Sequence, residues 1–177
     1  MQMSGNAPNI ITETQRLVIR QLSLDDLDSL YSIYDSWGPV QGVEPLSPNR
    51  DEEREKLESY IHFMYGFYGL GLWAVVDKES GRMIGRCGAW PSQVGDDWLP
   101  ELGYVIQKDF CRQGLALEAM EAIVAYIRKE TEFTCAAARI HKENKVSLRL
   151  AQKLGMKPDA RFSPDEDGMC VYRLDLS

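Results

Sequence analysis

The sequence contains few histidines and no closely spaced pair of cysteines. Two histidines and four cysteines occur in 177 residues, and Cys87, Cys111, Cys135 and Cys170 lie far apart. Zinc sites and dithiol redox motifs need clusters such as Cys-x-x-Cys, so the sequence predicts neither of them, and no metal is expected. We interpret the thiols as buried or incidental. Cys111 is the exception, because it lies in the turn that contains Gly114 and can be alkylated or oxidised there.

The sequence also lacks a long hydrophobic run. No apolar stretch approaches the roughly 20 residues that a membrane-spanning helix needs. Residues 1–9 have neither the basic start nor the apolar core of a signal peptide. We therefore expect a cytoplasmic protein with no membrane partner.

Basic residues are outnumbered by acidic ones, 20 against 27, and the formal net charge is −7. This balance disfavours a nucleic-acid partner and is compatible with a cationic amine substrate, although solubility alone would also explain it. One segment departs from the average, because residues 139–157 carry six cations against Glu143. These cations either face an anionic ligand or form a solvated helix face: Arg139, Lys142, Lys145, Arg149, Lys153 and Lys157.

The most informative pattern is a strand, a glycine turn and a helix in succession. Residues 101–107 alternate between two faces, Gly114 and Ala116 follow in a short turn, and an apolar-periodic run extends to Glu130. Small residues before a helix let backbone N–H groups surround an anion at the positive end of that helix. The pattern therefore predicts a pyrophosphate site, although a tight turn before an ordinary packing helix has the same appearance.

The rest of the sequence predicts alternating elements around this core. Leu17 and Ile19 mark a first strand, Ser23 and Asp26 begin a helix that ends at Gly38, and residues 38–49 form a loop. A second helix runs from about residue 51 to Gly69. Its aromatic residues are expected to be mostly core.

Three strands of an antiparallel meander follow, over residues 73–77, 83–90 and 99–107, with turns at 78–81 and 91–97. After the glycine turn and its helix, a strand over residues 135–141 implies a parallel crossover. Asn144 caps a last helix that stops at Gly155. Two final strands are predicted near residues 157–162 and 169–174.

Three motifs in this order resemble the GNAT acetyltransferase superfamily. They are the opening strand at residues 14–22, the turn Arg112-Gln-Gly-Leu-Ala, and the closing helix Asn144-Lys-Val-Ser. The resemblance spans residues 14–176 and is closest to the branch that acetylates ribosomal-protein N-termini. It implies an α/β fold in which antiparallel N-terminal strands join a parallel central pair, with about four flanking helices. We expect one domain over residues 14–177 after a flexible segment at 1–13.

The resemblance also implies a cofactor site for acetyl-CoA. By position, the backbones of Val105 and Ile106 would meet the pantetheine arm, and Asn144 and Ser147 would touch it from the last helix. The turn would wrap the pyrophosphate through the residues Arg112, Gln113, Gly114, Leu115 and Ala116. Two positions depart from the family pattern: Cys111 begins the turn, and Ala151 stands where many relatives have a tyrosine that protonates the leaving thiolate.

Acetylation of an amine requires removal of a proton and stabilisation of an oxyanion. Glu101 begins the central strand between apolar neighbours and is the best candidate base, since partial desolvation makes a carboxylate more basic. A surface acid at a strand edge is the simpler alternative. Ser147, acting through water, is a candidate acid, although a thiolate can also leave without one. The N–H of Val105 or Ile106 would meet the oxyanion.

The acceptor is predicted less sharply than the chemistry. An α-amine is far more often neutral at pH 7 than a lysine, so a lone weak base slightly favours N-termini. Acids and aromatics can cradle an ammonium group, and the candidates are Trp37, the loop at residues 38–49, Tyr60, Trp90 and the turn at residues 96–98. We expect an N-acetyltransferase that binds acetyl-CoA and an amine together, as a monomer or homodimer. The alternative is a non-catalytic CoA-binding regulatory module.

Overall fold

An eight-stranded mixed sheet forms the centre of the computed structural model, which describes residues 8–39 and 44–177. The strands lie in the order β1-β2-β3-β4-β5-β6-β8-β7. All neighbours are antiparallel except β5 and β6. The mixed α/β class and the parallel central pair are therefore confirmed. The strands are β1 (Ile10–Glu13), β2 (Leu17–Arg20), β3 (Gly71–Asp77), β4 (Met83–Val94), β5 (Asp97–Ile106), β6 (Cys135–His141), β7 (Lys157–Pro158) and β8 (Met169–Asp175).

Four α-helices accompany the sheet in the described part of the chain. They are α1 (Leu27–Asp35), α2 (Arg50–Tyr60), α3 (Leu115–Glu130) and α4 (Lys145–Lys153). A 3-10 turn at Leu24–Asp26 leads into α1, where Asp26 accepts a hydrogen bond from the Ser23 backbone at 2.8 Å. The helix α2 continues as a π-helical segment, Ile61–Tyr68, which ends at Gly69 in the left-handed region. None of these helices is long and apolar enough to cross a membrane.

The helices divide between the two faces of the sheet because the strand side chains alternate. On the α1–α2 face, Leu30, Ile33 and Leu57 pack with Ala74. On the α3–α4 face, a larger core joins Trp73, Ile84, Leu102 and Ile106 to α3 and α4. Any ligand that passes between strands of this sheet therefore connects two separate environments.

Strands β5 and β6 separate soon after they meet. Their single parallel register pair is Glu101 with Ala137, although β5 continues to Ile106 and β6 to His141. Parallel strands that diverge leave backbone hydrogen-bonding groups unpaired along the gap. We call this gap the β5–β6 cleft.

The predicted turn at residues 91–97 is wrong, because β4 and β5 extend to a tight turn at Gly95 and Asp96. Proline suggested a turn, yet Pro91 and Pro100 face each other within the ladder. They occupy a pair whose N–H positions point away from the β4–β5 ladder, where a missing donor costs nothing.

Smaller differences occur at the ends of the chain and in the second helix. Ile10–Glu13 pairs with β2 as a strand, although the sequence placed it in a flexible segment. The predicted strand at 157–162 shortens to Lys157–Pro158. The aromatic residues expected in the core are exposed, namely Phe63, Phe67 and Tyr68. Residues 1–7 of the N-terminal segment and 40–43 of the predicted loop lie outside the described residues.

Candidate active site

The hydrogen-bonding phase of β5 decides which backbone groups face the β5–β6 cleft. The N–H of Gln107 donates to the Ile84 carbonyl at 2.7 Å, so odd-numbered residues of β5 turn their amide groups toward β4. The backbone groups of Tyr104 and Ile106 consequently face the cleft.

Val105 lies in the other phase. It pairs with Arg86 of β4, and its carbonyl lies against Gly85, where a Cβ would come within 2.3 Å of the oxygen. The register therefore favours Ile106, and not Val105, for backbone contacts in the cleft. The resemblance predicts a backbone contact between Val105 and the pantetheine arm, and the register disfavours this contact. We expect the backbone of Tyr104 to make it instead.

Trp37 closes one end of the cleft. Its indole N–H donates to the Ile106 carbonyl at 2.8 Å, and the neighbouring Ser36 hydroxyl accepts from the Lys108 backbone at 3.1 Å. The C-terminal end of α1 is thereby fastened to the end of β5. Trp37 was predicted as an acceptor residue, and the structure places its indole against the end of β5.

The turn before α3 has the conformation of an anion site. Arg112 and Gly114 both adopt positive φ, 63° and 78°, and Gly114 is the N-cap of α3. Left-handed residues followed by a helix N-terminus point successive N–H groups to one side. The predicted residues Arg112, Gln113, Gly114, Leu115 and Ala116 therefore lie together in one turn and the start of one helix.

A polar network that the sequence did not reveal holds this turn in place. Arg16 of the β1–β2 connection donates to the Gln113 carbonyl at 2.8 Å and forms an ion pair with Glu118 of α3 at 2.6 Å. Burial alone would raise the pKa of Glu118, but hydrogen bonds from Thr14 and Arg16 outweigh it and lower the pKa. The carboxylate thus stays charged and, through Arg16, holds the turn in place.

Cys111 precedes the turn and is half-buried. Its sulfur lies 3.6 Å from the Gln107 carbonyl and 3.8 Å from the Ile106 carbonyl. Burial raises the pKa of this thiol. Since the thiolate is the reactive form, the predicted alkylation or oxidation of Cys111 is disfavoured.

The start of α4 faces the same region. The Asn144 side chain caps the helix by accepting from the Ser147 backbone at 3.1 Å, as predicted. The Ser147 hydroxyl lies 3.1 Å from the phenol oxygen of Tyr104. Ala151, one turn further along, is buried. Contacts of Asn144 and Ser147 with a ligand stay predictions.

Glu101 is buried on the α1–α2 face and is paired with a cation. Its Oε2 accepts a hydrogen bond from Arg139 of β6, which also donates to the Ser92 hydroxyl at 3.0 Å and the Gln93 carbonyl at 2.6 Å. The described residues contribute no donor to Oε1. The Glu101 carboxylate is therefore oriented by three strands and keeps one oxygen for another partner.

One aromatic side chain lies beside this carboxylate, since Trp90 of β4 is the cross-strand partner of Glu101. The Trp90 ring lies against Gly103, where a Cβ would come within 2.7 Å of the ring carbons. Nearby on the same face, Tyr34 accepts from Arg86 Nε at 2.9 Å and lies under its guanidinium. Trp90, an acceptor candidate from the sequence, thus forms a flat wall beside Glu101.

Other acceptor candidates have different roles. The Tyr60 hydroxyl accepts from the Leu72 backbone at 2.6 Å, which ties α2 to β3. Asp97 forms ion pairs with Arg161 and Arg173, each at 3.1 Å. Trp98 is 64% exposed. The carboxylate of Asp97 is therefore already neutralised by two arginines.

The six cations of residues 139–157 do not all lie in the same place. Arg139 points to Glu101, while the exposed residues Lys142, Lys145, Arg149, Lys153 and Lys157 lie at or beyond the end of β6. Within the described residues, no group of three histidine, cysteine or acidic side chains is arranged to hold a metal ion.

Comparison with known proteins identifies the family of this chain. Residues 16–157 match the acetyltransferase (GNAT) domain family. An uncharacterised Bacillus subtilis protein, YkkB, is 38% identical over 89 residues, which are 50% of this chain and 52% of that protein. This chain's match thus spans about half the length of that relative.

Solved structures share the fold across almost the whole chain. A protein described as a GnaT-family acetyltransferase from Bordetella pertussis superimposes with a TM-score of 0.77 at 24% identity, covering 92% of this chain and 97% of that one. The ribosomal-protein-S5-alanine acetyltransferase of Vibrio fischeri gives 0.75 at 12% identity, covering 94% and 96%. The family transfers acetyl groups from acetyl-CoA. The match to the domain family covers most of the chain, and the chain belongs to the GNAT acetyltransferases.

Proposed function

We propose that this acetyltransferase moves the acetyl group of acetyl-CoA to a primary amine, either a protein N-terminal α-amine or the amine of a small molecule. The two substrates would be bound together, and the amine would attack the thioester directly. One observation supports the proposal: the β5–β6 cleft opens beside the left-handed turn before α3 and leads to the buried carboxylate of Glu101 on the α1–α2 face.

The cofactor half of the site relies on backbone groups. The N–H groups of residues 112–116 would meet the pyrophosphate, and the cleft-facing amides of Tyr104 and Ile106 would pair with the pantetheine arm as an added strand does. Tyr104 lies closer to Glu101 along β5 than Ile106 does, so its N–H is the better-placed donor for the oxyanion. Asn144 and Ser147 would border the arm from α4.

Glu101 would remove the proton of the attacking amine. Arg139 fixes the carboxylate through Oε2, which leaves Oε1 to accept the proton. A positioned base contributes about 10²- to 10⁴-fold to the rate. Ser92 and Gln93 hold Arg139 in place, and the carboxylate that Arg139 orders costs less entropy to bring to the amine.

The acceptor would lie on the α1–α2 face beside Trp90. An ammonium group attracted to the Trp90 ring would be close to Glu101, and cation–π attraction contributes about 0.5–2 kcal/mol. A single carboxylate base suits an amine that is often neutral at pH 7, and an α-amine with a pKa near 8 is neutral in about a tenth of molecules. These points support α-amines over lysine side chains.

A non-catalytic CoA-binding module is the second candidate. Two observations favour it: Arg139 already engages Glu101, and Ala151 offers no acidic group at the family's usual tyrosine position. The cofactor half of the site would function equally well in such a module. Only turnover separates the two candidates.

The test is release of CoA from acetyl-CoA with a panel of peptide N-termini, polyamines, amino sugars and amino acids. Wild type is compared with Glu101→Gln and with Glu121→Gln, which removes the same charge from an exposed position on α3. The proposal predicts amine-dependent release that Glu101→Gln slows about 10²- to 10⁴-fold and Glu121→Gln keeps. Binding of acetyl-CoA without release by any amine would establish the module instead.

A further inference from the structure

We propose that Tyr104 of β5 orients the Ser147 hydroxyl so that Ser147 protonates the departing sulfur. Tyr104 would thereby replace the tyrosine that α4 lacks at position 151. The inference rests on the proposed function and adds a residue to it. Tyr104 is a positioning residue here, because it would act through Ser147.

Helix geometry shows why Tyr104 can take the place of a tyrosine at position 151. Ser147 and Ala151 are four residues apart on α4, so they share one face of the helix. Side chains on a helix lean toward its N-terminus, and a tyrosine at 151 would extend over Ser147. Tyr104 brings its hydroxyl to 3.1 Å from the Ser147 Oγ by a different route, across from the sheet.

The location of Tyr104 along β5 places this pair beside the reacting atoms. Its backbone faces the β5–β6 cleft, and its side chain is directed to the α3–α4 face. Glu101, three residues earlier, lies on the opposite face. The proton acceptor for the amine and the proton donor for the sulfur would thus stand on opposite sides of the thioester, as the direction of the reaction requires.

The phenol is held in its protonated form. Burial raises the pKa of Tyr104, the Ser147 hydrogen bond acts in the opposite direction, and the nearby Cys111 thiol raises the pKa further. Cys111 has a raised pKa of its own because of burial, so it is also protonated at neutral pH. Tyr104 is therefore available as a hydrogen-bond donor to Ser147 across the physiological range.

The proton transfers balance without another reagent. As the carbon–sulfur bond breaks, the sulfur keeps the electron pair and takes the proton of Ser147 Oγ. Ser147 takes the proton of Tyr104, and the phenolate recovers a proton from water. Glu101 returns the proton of the amine to solvent, and the net products are the amide and CoA.

The first experiment compares Tyr104→Phe with Tyr126→Phe. Tyr126 of α3 is also half-buried, and its hydroxyl makes no hydrogen bond to any described residue, so its variant controls for the loss of a phenol oxygen. We expect Tyr104→Phe to lower kcat about 100-fold with the KM for acetyl-CoA within about twofold of wild type, and Tyr126→Phe to keep both. Ser147→Ala should match Tyr104→Phe, and the double variant should be no slower than either single one.

The leaving group supplies a sharper readout. In the oxygen-ester analogue of acetyl-CoA the leaving group is an alkoxide, a stronger base than a thiolate, so its departure depends more on a proton donor. The penalty of Tyr104→Phe should therefore grow by about a further tenfold with the analogue. A merely structural role would give the same penalty with both esters.

Binding of CoA itself gives a measurement without turnover. A hydrogen bond from Ser147 to the thiolate favours the charged form, so the pKa of bound CoA thiol should lie lower in wild type than in Tyr104→Phe. Ultraviolet absorbance of the thiolate measures it. We expect a roughly tenfold larger thiolate-to-thiol ratio in wild type at a given pH.

Equal penalties with both esters, or an unchanged pKa of the bound thiol, would overturn the inference. If wild type and Tyr104→Phe turn over equally well, Tyr104 has no role while the proposed acetyltransferase stands. If wild type binds acetyl-CoA but acetylates no amine, the proposed function fails, and the role of Tyr104 fails with it.

Discussion

The two ends of the β5–β6 cleft are built in different ways. At the turn before α3, the groups that would meet a phosphate are backbone N–H groups of five consecutive residues, shaped by two positive φ angles. At the other end, Glu101 depends on side chains from β4 and β6 that are distant along the chain. The cofactor end is therefore insensitive to most side-chain changes, whereas the amine end depends on each side chain.

The largest predicted effect separates the two ends directly. Glu101→Gln should lower kcat about 10²- to 10⁴-fold, since glutamine keeps the shape of the side chain but cannot take the proton. The dissociation constant of acetyl-CoA should stay within about twofold. Steady-state kinetics and calorimetric titration measure the two quantities, and a parallel loss of acetyl-CoA affinity would contradict the separation.

Gly114→Ala should produce the opposite pattern. A residue with a side chain costs about 1–2 kcal/mol in the left-handed region, and its methyl group would approach the anion. We expect acetyl-CoA to bind at least about tenfold more weakly. The added Cβ meets nothing closer than an Arg16 nitrogen at 3.5 Å, so the fold should tolerate it.

Gly155→Ala is the matched control for this change. Gly155 also has a positive φ, 85°, and its nearest atom would be a Leu174 methyl at 3.9 Å. The two variants should lose similar stability in thermal melts. Equal losses of acetyl-CoA affinity would mean that Gly114 acts only through the fold.

Arg139→Lys should have a smaller effect at the amine end. Lysine cannot reach the carboxylate of Glu101, the Ser92 hydroxyl and the Gln93 carbonyl together, because it lacks the planar fork of arginine. We expect kcat/KM for the amine to fall about tenfold with unchanged acetyl-CoA affinity. Arg149→Lys, at an exposed position on α4, should behave as wild type.

The smallest effect concerns the scaffold of the amine end. Arg20 pairs with Asp26 at 2.8 Å where β2 leads into α1, the helix that Trp37 follows. Burial alone would raise the pKa of Asp26, but hydrogen bonds from Arg20 and Ser23 outweigh it and lower the pKa. Asp26→Asn should reduce the free energy of unfolding by about 2 kcal/mol at pH 7.

The pH dependence of this stability difference shows whether lost charge interactions or lost packing cause it. A lowered folded-state pKa stabilises the protein fully above the unfolded-state pKa of about 3.9, and the contribution is lost as pH falls through the folded value. The difference between wild type and Asp26→Asn should therefore shrink below about pH 4 in urea titrations. A difference that persists at lower pH would assign the loss to packing.

The same contrast explains what the sequence could predict. Local signals gave the glycine turn, the Ser23 and Asn144 caps and the parallel crossover, because each depends on neighbouring residues. Pro91 led to the wrong prediction of a turn at residues 91–97. Only the register shows that Pro91 and Pro100 occupy positions where the β4–β5 ladder needs no backbone N–H donor.

Residues that meet through the fold could not be found in this way. Arg139 was visible only as one cation of a basic segment, and its pairing with Glu101 depends on the β5–β6 register. The same holds for Tyr104 with Ser147 and for Trp37 with Ile106. The one available signal for Tyr104 was its position on the α3–α4 face of an alternating strand.

Hydrogen exchange with and without acetyl-CoA tests the central claim most directly, because the cofactor end is proposed to bind through backbone amides. The account predicts slower exchange at residues 104 and 106 in the cleft and at 112–116 in the turn, with the amides of β4 that face β5 unchanged. Protection of the exposed π-helical segment Ile61–Tyr68 in place of the turn would contradict it.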